Sequence, residues 1–149
     1  MEIKKDNLNR MGNAMFNLMY GMKKGVDDCS KICGNLSDKE FLIITFVGQM
    51  QNVKMSEIAE QLSAPLSTLT SIVDRLVEGK YLIRYHSTED RRVVLVALGA
   101  NGKTTCDRFV EKKRSMAEDI LSNFNEADQE KLIGYLEQVP SYSKESVEE

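Results

Sequence analysis

The chain has 149 residues, 42% of them hydrophobic, which suits one compact domain or one protomer of an intertwined oligomer. No apolar run approaches the roughly 20 residues that span a bilayer, and residues 1–7 lack the apolar core of a signal peptide. Three irregularly spaced cysteines argue against a secreted disulfide framework. We therefore expect a cytoplasmic protein with no membrane partner.

The formal net charge of −3 is distributed unevenly. Basic residues are concentrated between Arg75 and Arg92, whereas the residues after Asn125 are strongly acidic. An acidic total therefore does not exclude nucleic acid as a partner, because a local basic surface is what attracts phosphate. We expect moderate affinity for random DNA, with a strong dependence on salt.

Two helices are predicted in the N-terminal third of the chain. Over residues 7–30, apolar side chains recur every three or four positions, and the stripe is too wide for a helix with only one packed side. Ser37 and Glu40 form a capping box that opens a second helix to about Met50. This second helix is apolar nearly all round, so we expect it at the centre of the core.

Residues 55–78 predict two helices separated by a tight turn. The first, over residues 55–62, has Ser56 as its expected N-cap. Pro65 suits the first position of the second helix, which ends near Glu78 and Gly79. Apolar residues occupy one side of the second helix and hydroxyl side chains the other. This is the helix-turn-helix arrangement, in which the second helix reads DNA.

A hairpin and two more helices follow. Residues 81–85 and 93–97 predict strands around a polar loop at 86–92, which makes a basic wing. A long helix is expected over residues 103–123 and a last helix after Asn125, ended by Pro140. Residues 141–149 predict a disordered acidic tail. The fold class is mainly α with a small β-hairpin wing, and the winged helix-turn-helix covers about residues 37–99.

Several of these segments resemble the MarR family of bacterial transcriptional regulators. The similar segments, in order, are Ser71-Ile-Val-Asp-Arg-Leu76, Tyr81-Leu-Ile-Arg84, Asp90-Arg-Arg92 and Val94-Leu-Val-Ala-Leu98. The resemblance implies one domain over residues 1–140, with dimerisation helices at 7–30 and 103–139. It also implies a homodimeric repressor, released when a small aromatic or anionic effector binds between the dimerisation helices and the winged unit. Lys80 stands where the family commonly has glycine.

The expected DNA contacts lie on the second helix and the wing. Hydroxyl side chains can bond to bases or phosphate, and Leu66 can meet a thymine methyl group, although a solvated helix face is the alternative. Arginines at a wing tip suit a narrow minor groove. By resemblance, Arg92 enters the groove and Asp90 holds its guanidinium. The predicted set is Pro65, Leu66, Ser67, Thr68, Thr70, Ser71, Arg75, Arg84, Asp90, Arg91 and Arg92.

Arg75, Lys80 and Arg84 are expected at phosphates. The second helix has no arginine or lysine before Arg75, which departs from many family members. We therefore expect weak direct readout of guanine from this helix and a larger part for DNA shape.

Two further groups could carry regulation. The first helix and the second could line an effector cavity through Met15, Phe16, Met19, Tyr20 and Phe41, or these residues could form packed core. Cys29 and Cys33 share a helix face and could act as a redox switch, although structural roles for them and for Cys106 are the alternative.

No catalytic motif is present, and one isolated histidine, His86, makes neither a metal site nor a general base with a partner. The sequence therefore predicts a non-enzymatic regulator without cofactor or metal, acting as a homodimer on a palindromic double-stranded operator. The alternatives are a winged-helix protein-interaction module that does not bind DNA and a cysteine-based redox-sensing regulator.

Overall fold

The computed structural model describes residues 3–139, and the predicted acidic tail lies outside them. Two compact units are present: the first extends to Lys112 and the second begins at Lys113. In chain order, the elements are α1 (Lys5–Ile32), α2 (Asp38–Met50), β1 (Val53–Lys54), α3 (Met55–Leu62), α4 (Leu66–Glu78), β2 (Leu82–His86), β3 (Val94–Leu98), α5 (Ala100–Leu121) and α6 (Glu126–Glu137). The mainly helical fold with a small winged sheet is confirmed.

Helix α2 is the centre of the core of the first unit. Ser37 and Glu40 form the predicted capping box, with the Ser37 backbone N–H donating to Glu40 Oε2 at 2.9 Å. Phe41, Ile43, Ile44 and Val47 of α2 are buried in the core, and each side chain of this size contributes about 1.5–3 kcal/mol on burial. The predicted place of α2 in the core is confirmed for this face, whereas Leu42 and Met50 are exposed.

The sheet has three antiparallel strands in the order β1-β3-β2. Strand β1 was not predicted, because two residues are too few to give an alternating pattern. Val53 is buried opposite Val96 and ties the start of α3 to the sheet. The predicted wing strands are both present, each displaced by one residue.

Helix α3 begins at the predicted residue but has a different N-cap, and the start of α4 is displaced by one residue. Helix α3 begins at Met55, and the backbone N–H of Lys54 donates to Glu57 Oε2 at 2.7 Å. Lys54 is therefore the N-cap, and the prediction of Ser56 in that role was wrong. Pro65 is the N-cap of α4 rather than its first helical residue. The single-residue change at Pro65 is within the usual ambiguity of helix ends.

The C-terminus of α4 is joined tightly to the N-terminus of α5. The Gly99 N–H donates to the Tyr81 carbonyl at 2.8 Å, and the Asn101 N–H donates to the Lys80 carbonyl at 3.0 Å. A Cβ atom at Gly99 or Gly102 would overlap the backbone carbonyls of Lys80 and Tyr81. Glycine is therefore required at both positions by the close approach of two backbone segments.

Large apolar side chains are exposed at α1 and in the second unit. In α1, the first buried residue is Gly25, and the apolar side chains that precede it lie at the surface. Helix α6 buries none of its residues. A helix with an apolar face is normally covered by other protein, so an exposed apolar face is a candidate surface for a partner. Over residues 3–139, no helix is long and apolar enough to cross a membrane.

All three cysteines are free thiols. Cys29 and Cys33 are buried at the C-terminal end of α1, with their Sγ atoms 3.9 Å apart. Burial, together with neighbouring Cys33, raises the pKa of Cys29 to about 11. Cys106 is half-buried, its Sγ lies 3.6 Å from the Ile44 carbonyl oxygen, and burial raises its pKa also. These surroundings are typical of structural thiols.

Candidate nucleic-acid interface

Helix α4 presents a polar face opposite its packed side. Leu69, Ile72, Val73 and Leu76 recur at helical spacing and are buried in the core. The opposite face is exposed at the N-terminal end of the helix, where the predicted base-reading residues are Leu66, Ser67, Thr68, Thr70 and Ser71. Packing of one side onto the core therefore leaves the hydroxyl-rich side free to meet a ligand.

Two hydroxyl groups on this face have fixed hydrogen-bond roles. Thr70 Oγ1 donates to the Leu66 carbonyl at 2.8 Å, and Ser71 Oγ donates to the Thr68 carbonyl at 2.9 Å. Because each hydroxyl proton is used within the helix, both oxygen atoms present lone pairs outwards. In a major groove, such acceptors suit the amino groups of adenine and cytosine.

The wing is a regular hairpin whose loop is held by its own hydrogen bonds. Asp90 Oδ1 accepts from the backbone N–H of Arg92 at 2.9 Å, and His86 Nδ1 donates to the Arg91 carbonyl at 2.8 Å. Within the described residues, Asp90 makes no ion pair with the Arg92 guanidinium. The predicted role of Asp90 is corrected accordingly: it holds the backbone of Arg92 and leaves its side chain exposed.

The base of the wing and the start of α4 share one groove of about 360 Å³. Arg92 from the wing and Leu66 and Thr70 from α4 all line this groove. The remaining lining residues are Lys54, Met55, Ser56, Val93 and Val94. Lys54 and Ser56 were not predicted as site residues; the available signal was a base and a hydroxyl at the start of the first helix of the motif.

The two arginines predicted at phosphates have different environments. The Nη2 atom of Arg75 lies 3.4 Å from Glu40 Oε1, and the Arg75 side chain is 65% exposed. Arg84 is half-buried, and it forms an ion pair with Asp74. Arg84 is thus the one member of the predicted contact set that is not exposed.

Glu40 is an ionised partner for Arg75. Burial alone would raise the pKa of Glu40. The hydrogen bonds from the Ser37 backbone and hydroxyl, together with the charge of Arg75, lower the pKa by more than burial raises it. The net result is a pKa below the ordinary value, so the carboxylate is charged at neutral pH.

The structure separates the residues predicted to line an effector cavity. Phe41 is 2% exposed and packs edge-to-face on Phe109, with ring centroids 5.2 Å apart. Phe16, Met19 and Tyr20 are each at least 65% exposed, and Met15 is 43% exposed. The five residues therefore do not enclose a cavity within one chain. Periodicity placed them on apolar faces but could not tell which part of α1 packs on the first unit.

The known proteins similar to this chain include transcriptional regulators. The family model described as "MarR family" matches residues 36–94. The chain is 35% identical over 93 residues to the uncharacterized HTH-type transcriptional regulator YfiV of Bacillus subtilis, covering 59% of this chain and 57% of that protein. It is 34% identical over 110 residues to the HTH-type transcriptional regulator PecS of Dickeya dadantii, covering 72% and 66%. The chain spans less than two thirds of the length of these relatives.

Solved structures share the fold across nearly the whole chain. RV1404 of Mycobacterium tuberculosis superposes with a TM-score of 0.76 at 19% identity, covering 92% of both chains. FabT of Streptococcus pneumoniae, solved in complex with DNA, superposes with a TM-score of 0.66 at 22% identity, covering 90% of this chain and 93% of FabT. The match over residues 36–94 identifies the winged helix-turn-helix of this chain as one of the MarR family.

Proposed function

We propose that this protein is a homodimeric transcriptional regulator that binds a palindromic double-stranded operator and acts as a repressor. One observation carries the proposal: Arg92 of the wing and the exposed start of α4 line the same groove. A helix and an arginine in this arrangement can meet the major groove and the adjacent minor groove of one duplex. The FabT complex with DNA, of the same fold, is consistent with this assignment.

In the proposed complex, α4 lies in the major groove. Thr70 and Ser71 accept hydrogen bonds from base amino groups, and Leu66, which is 54% exposed, contacts a thymine methyl group. Pro65, Ser67 and Thr68 lie at the same end of the helix and contact the backbone or bases. Arg75 contacts a phosphate, with Lys54 as a second candidate for that role.

The wing supplies the remaining contacts. Arg92 enters the minor groove, where narrow A·T-rich segments have an enhanced negative potential, and Arg91 contacts the flanking backbone. The hydrogen bond that the Arg92 backbone N–H donates to Asp90 Oδ1 orients the backbone from which the Arg92 side chain extends. No arginine or lysine precedes Arg75 on α4, so selectivity depends on DNA shape more than on guanine readout.

Dimerisation is proposed from the exposed apolar surfaces. A contiguous stripe on α1 contains Phe16, Met19 and Tyr20 at the surface, and the second unit exposes Leu136 and Tyr135. Contiguous apolar patches exposed on soluble proteins often mark protein–protein contacts. A two-fold axis through residues 7–30 and 103–139 would place two copies of α4 about one helical turn of DNA apart, to match a palindrome.

The proposed domain organisation is one domain over residues 1–140, and the proposed location is the cytoplasm. Release of the repressor would follow binding of a small aromatic or anionic effector between the dimerisation helices and the winged unit. Such an effector must prefer a dimer in which the two α4 helices have the wrong separation for the operator.

Selection of bound sequences from a random pool of duplex DNA tests the proposal. We expect enrichment of a palindromic sequence, with binding that weakens steeply between low and moderate salt. No enrichment, and no binding of random duplex at low salt, would contradict it and favour a winged-helix module that binds protein instead.

A further inference from the structure

The side chain of Arg84 connects the wing to α4, the proposed DNA-recognition helix. Arg84 is the third residue of β2, where it pairs with Val96 of β3. Its Nη1 atom forms an ion pair with the Asp74 carboxylate, and its Nη2 atom donates to the Thr70 carbonyl at 3.4 Å. Its Nε atom is buried and has no hydrogen-bond partner among the described residues. Each nitrogen is thus either bonded within the chain or shielded from a ligand.

The two acceptors belong to residues that are one turn apart on α4. Thr70 and Asp74 are four residues apart, so they face the same side of the helix. A planar guanidinium with a fixed fork can hold both at once, whereas a lysine ammonium is a single point of attachment. Arg84 therefore fixes both the distance and the rotation of β2 against α4.

We propose that Arg84 is a positioning residue for DNA recognition and does not contact a phosphate. The inference rests on the proposed DNA-binding function. Thr70, whose carbonyl accepts from Arg84, also lines the groove that contains Arg92. Arg84 consequently sets the relative placement of a residue on the recognition helix and the arginine on the wing. Its effect on DNA is exerted through Thr70 and Arg92.

The consequence for DNA binding differs from that of a phosphate contact. Loss of a phosphate contact weakens binding to every sequence and reduces the salt dependence by about one counterion. Loss of a positioning residue misplaces two specific contacts relative to each other, so it weakens operator binding more than random binding. The salt dependence on random duplex should then remain that of the parent.

The test uses the full-length chain with Arg84→Lys, Arg84→Ala and, as the exposed-arginine control, Arg91→Ala. Binding to the selected operator and to random duplex is titrated over a range of salt concentrations. For both Arg84 variants we expect about a tenfold or greater loss on the operator, less than about a twofold change on random duplex and an unchanged salt slope. For Arg91→Ala we expect similar losses on both DNAs and a smaller slope.

Arg84→Lys decides between the two roles. A lysine retains the charge and would preserve a phosphate contact, so near-parent operator affinity in this variant would overturn the proposal. Equal losses on both DNAs with a reduced slope in Arg84→Ala would overturn it as well. Thermal unfolding of each variant shows whether the chain is folded at the temperature of the titration.

A readout without DNA separates this inference from the proposed function. Amide hydrogen exchange in residues 82–86 should be faster in Arg84→Ala and in Asp74→Asn than in the parent, and unchanged in Arg91→Ala. If the parent binds no DNA, the proposed function fails, but the exchange result still tests the connection between β2 and α4. Unchanged exchange in both variants would contradict that connection.

Discussion

Arg92 and Asp90 show how the wing loop can direct one side chain. The backbone N–H of Arg92 is held by Asp90 Oδ1, and the guanidinium is exposed beside the start of α4. We predict that Arg92→Ala weakens operator binding by about 1–3 kcal/mol without changing the thermal unfolding midpoint. Fluorescence anisotropy titration measures the change, and Thr88→Ala, in the same loop, is the control. Parent affinity in a folded Arg92→Ala protein would remove the wing from recognition.

The role of Asp90 can be tested with its neutral analogue. Asparagine retains an oxygen that can accept from the Arg92 N–H, whereas alanine does not. We expect Asp90→Asn to bind the operator nearly as the parent does and Asp90→Ala to bind more weakly, by less than Arg92→Ala. If both variants lost affinity equally, the carboxylate charge would matter and the backbone hydrogen bond would not be its main role.

For the cysteines we predict low reactivity in the native protein. The raised pKa values of Cys29 and Cys106 leave little thiolate at neutral pH, and the Cys29 and Cys33 side chains are buried. Alkylation by iodoacetamide at pH 7 should be much slower in the native chain than in urea, and peroxide should not alter operator binding. Mass spectrometry measures the alkylation, and fluorescence anisotropy measures operator binding. Reversible loss of binding on oxidation, abolished by Cys29→Ser, would make redox sensing the leading function.

At the scale of single residues, the sequence predicted exposure better than partners in α4 and the wing, but not in α1. The hydroxyl face of α4 was predictable because helical periodicity separates it from Leu69 and Leu76. The contacts of Arg84 and Asp90 were not predictable, because they depend on how β2 and the wing loop approach other backbone. A charged side chain in a sequence pattern does not reveal whether its nearest acceptor is DNA, a carboxylate or a main-chain atom.

Among the secondary-structure elements, the junction after α4 contains a strained residue. Gly79 has φ −75°, whereas Lys80 has φ +59°, in the left-handed region that glycine adopts at lower cost. We predict that Lys80→Gly raises the free energy of unfolding by about 0.5–1 kcal/mol. Urea denaturation measures this free energy of unfolding. Lys24→Gly, at an exposed position inside α1, is the matched control and should lower stability by about 1 kcal/mol. Destabilisation by Lys80→Gly would show that the Lys80 side chain has a structural contact.

Helix types and the capping box at Ser37 were predictable because long periodic segments and caps act locally. Strand β1 was missed since its stability comes from pairing with β3, which is more than forty residues away in the chain. The close approach of Gly99 and Gly102 to Lys80 and Tyr81 is likewise a tertiary requirement. Local sequence patterns therefore predict neither the pairing of β1 nor the close backbone approach at the two glycines.

In the whole molecule, the exposed apolar face of α1 has a testable consequence. A charge placed in a dimer interface would be buried without a partner, which costs several kcal/mol. We predict that Phe16→Glu converts the protein to monomers at micromolar concentration and weakens operator binding at least about tenfold. Sedimentation velocity measures the oligomeric state. Leu42→Glu, at an exposed position on α2, is the control and should leave it unchanged. An unaltered dimer in Phe16→Glu would exclude this face of α1 from the interface.

The most direct measurement of the central claim is a titration of the selected operator with the full-length protein, including stoichiometry and salt dependence. We predict two protomers per palindrome, an affinity at least about a thousandfold above that for random duplex, and a steep decrease with salt. Equal affinity for operator and random duplex, or one protomer per site at full affinity, would contradict a dimeric, sequence-specific regulator.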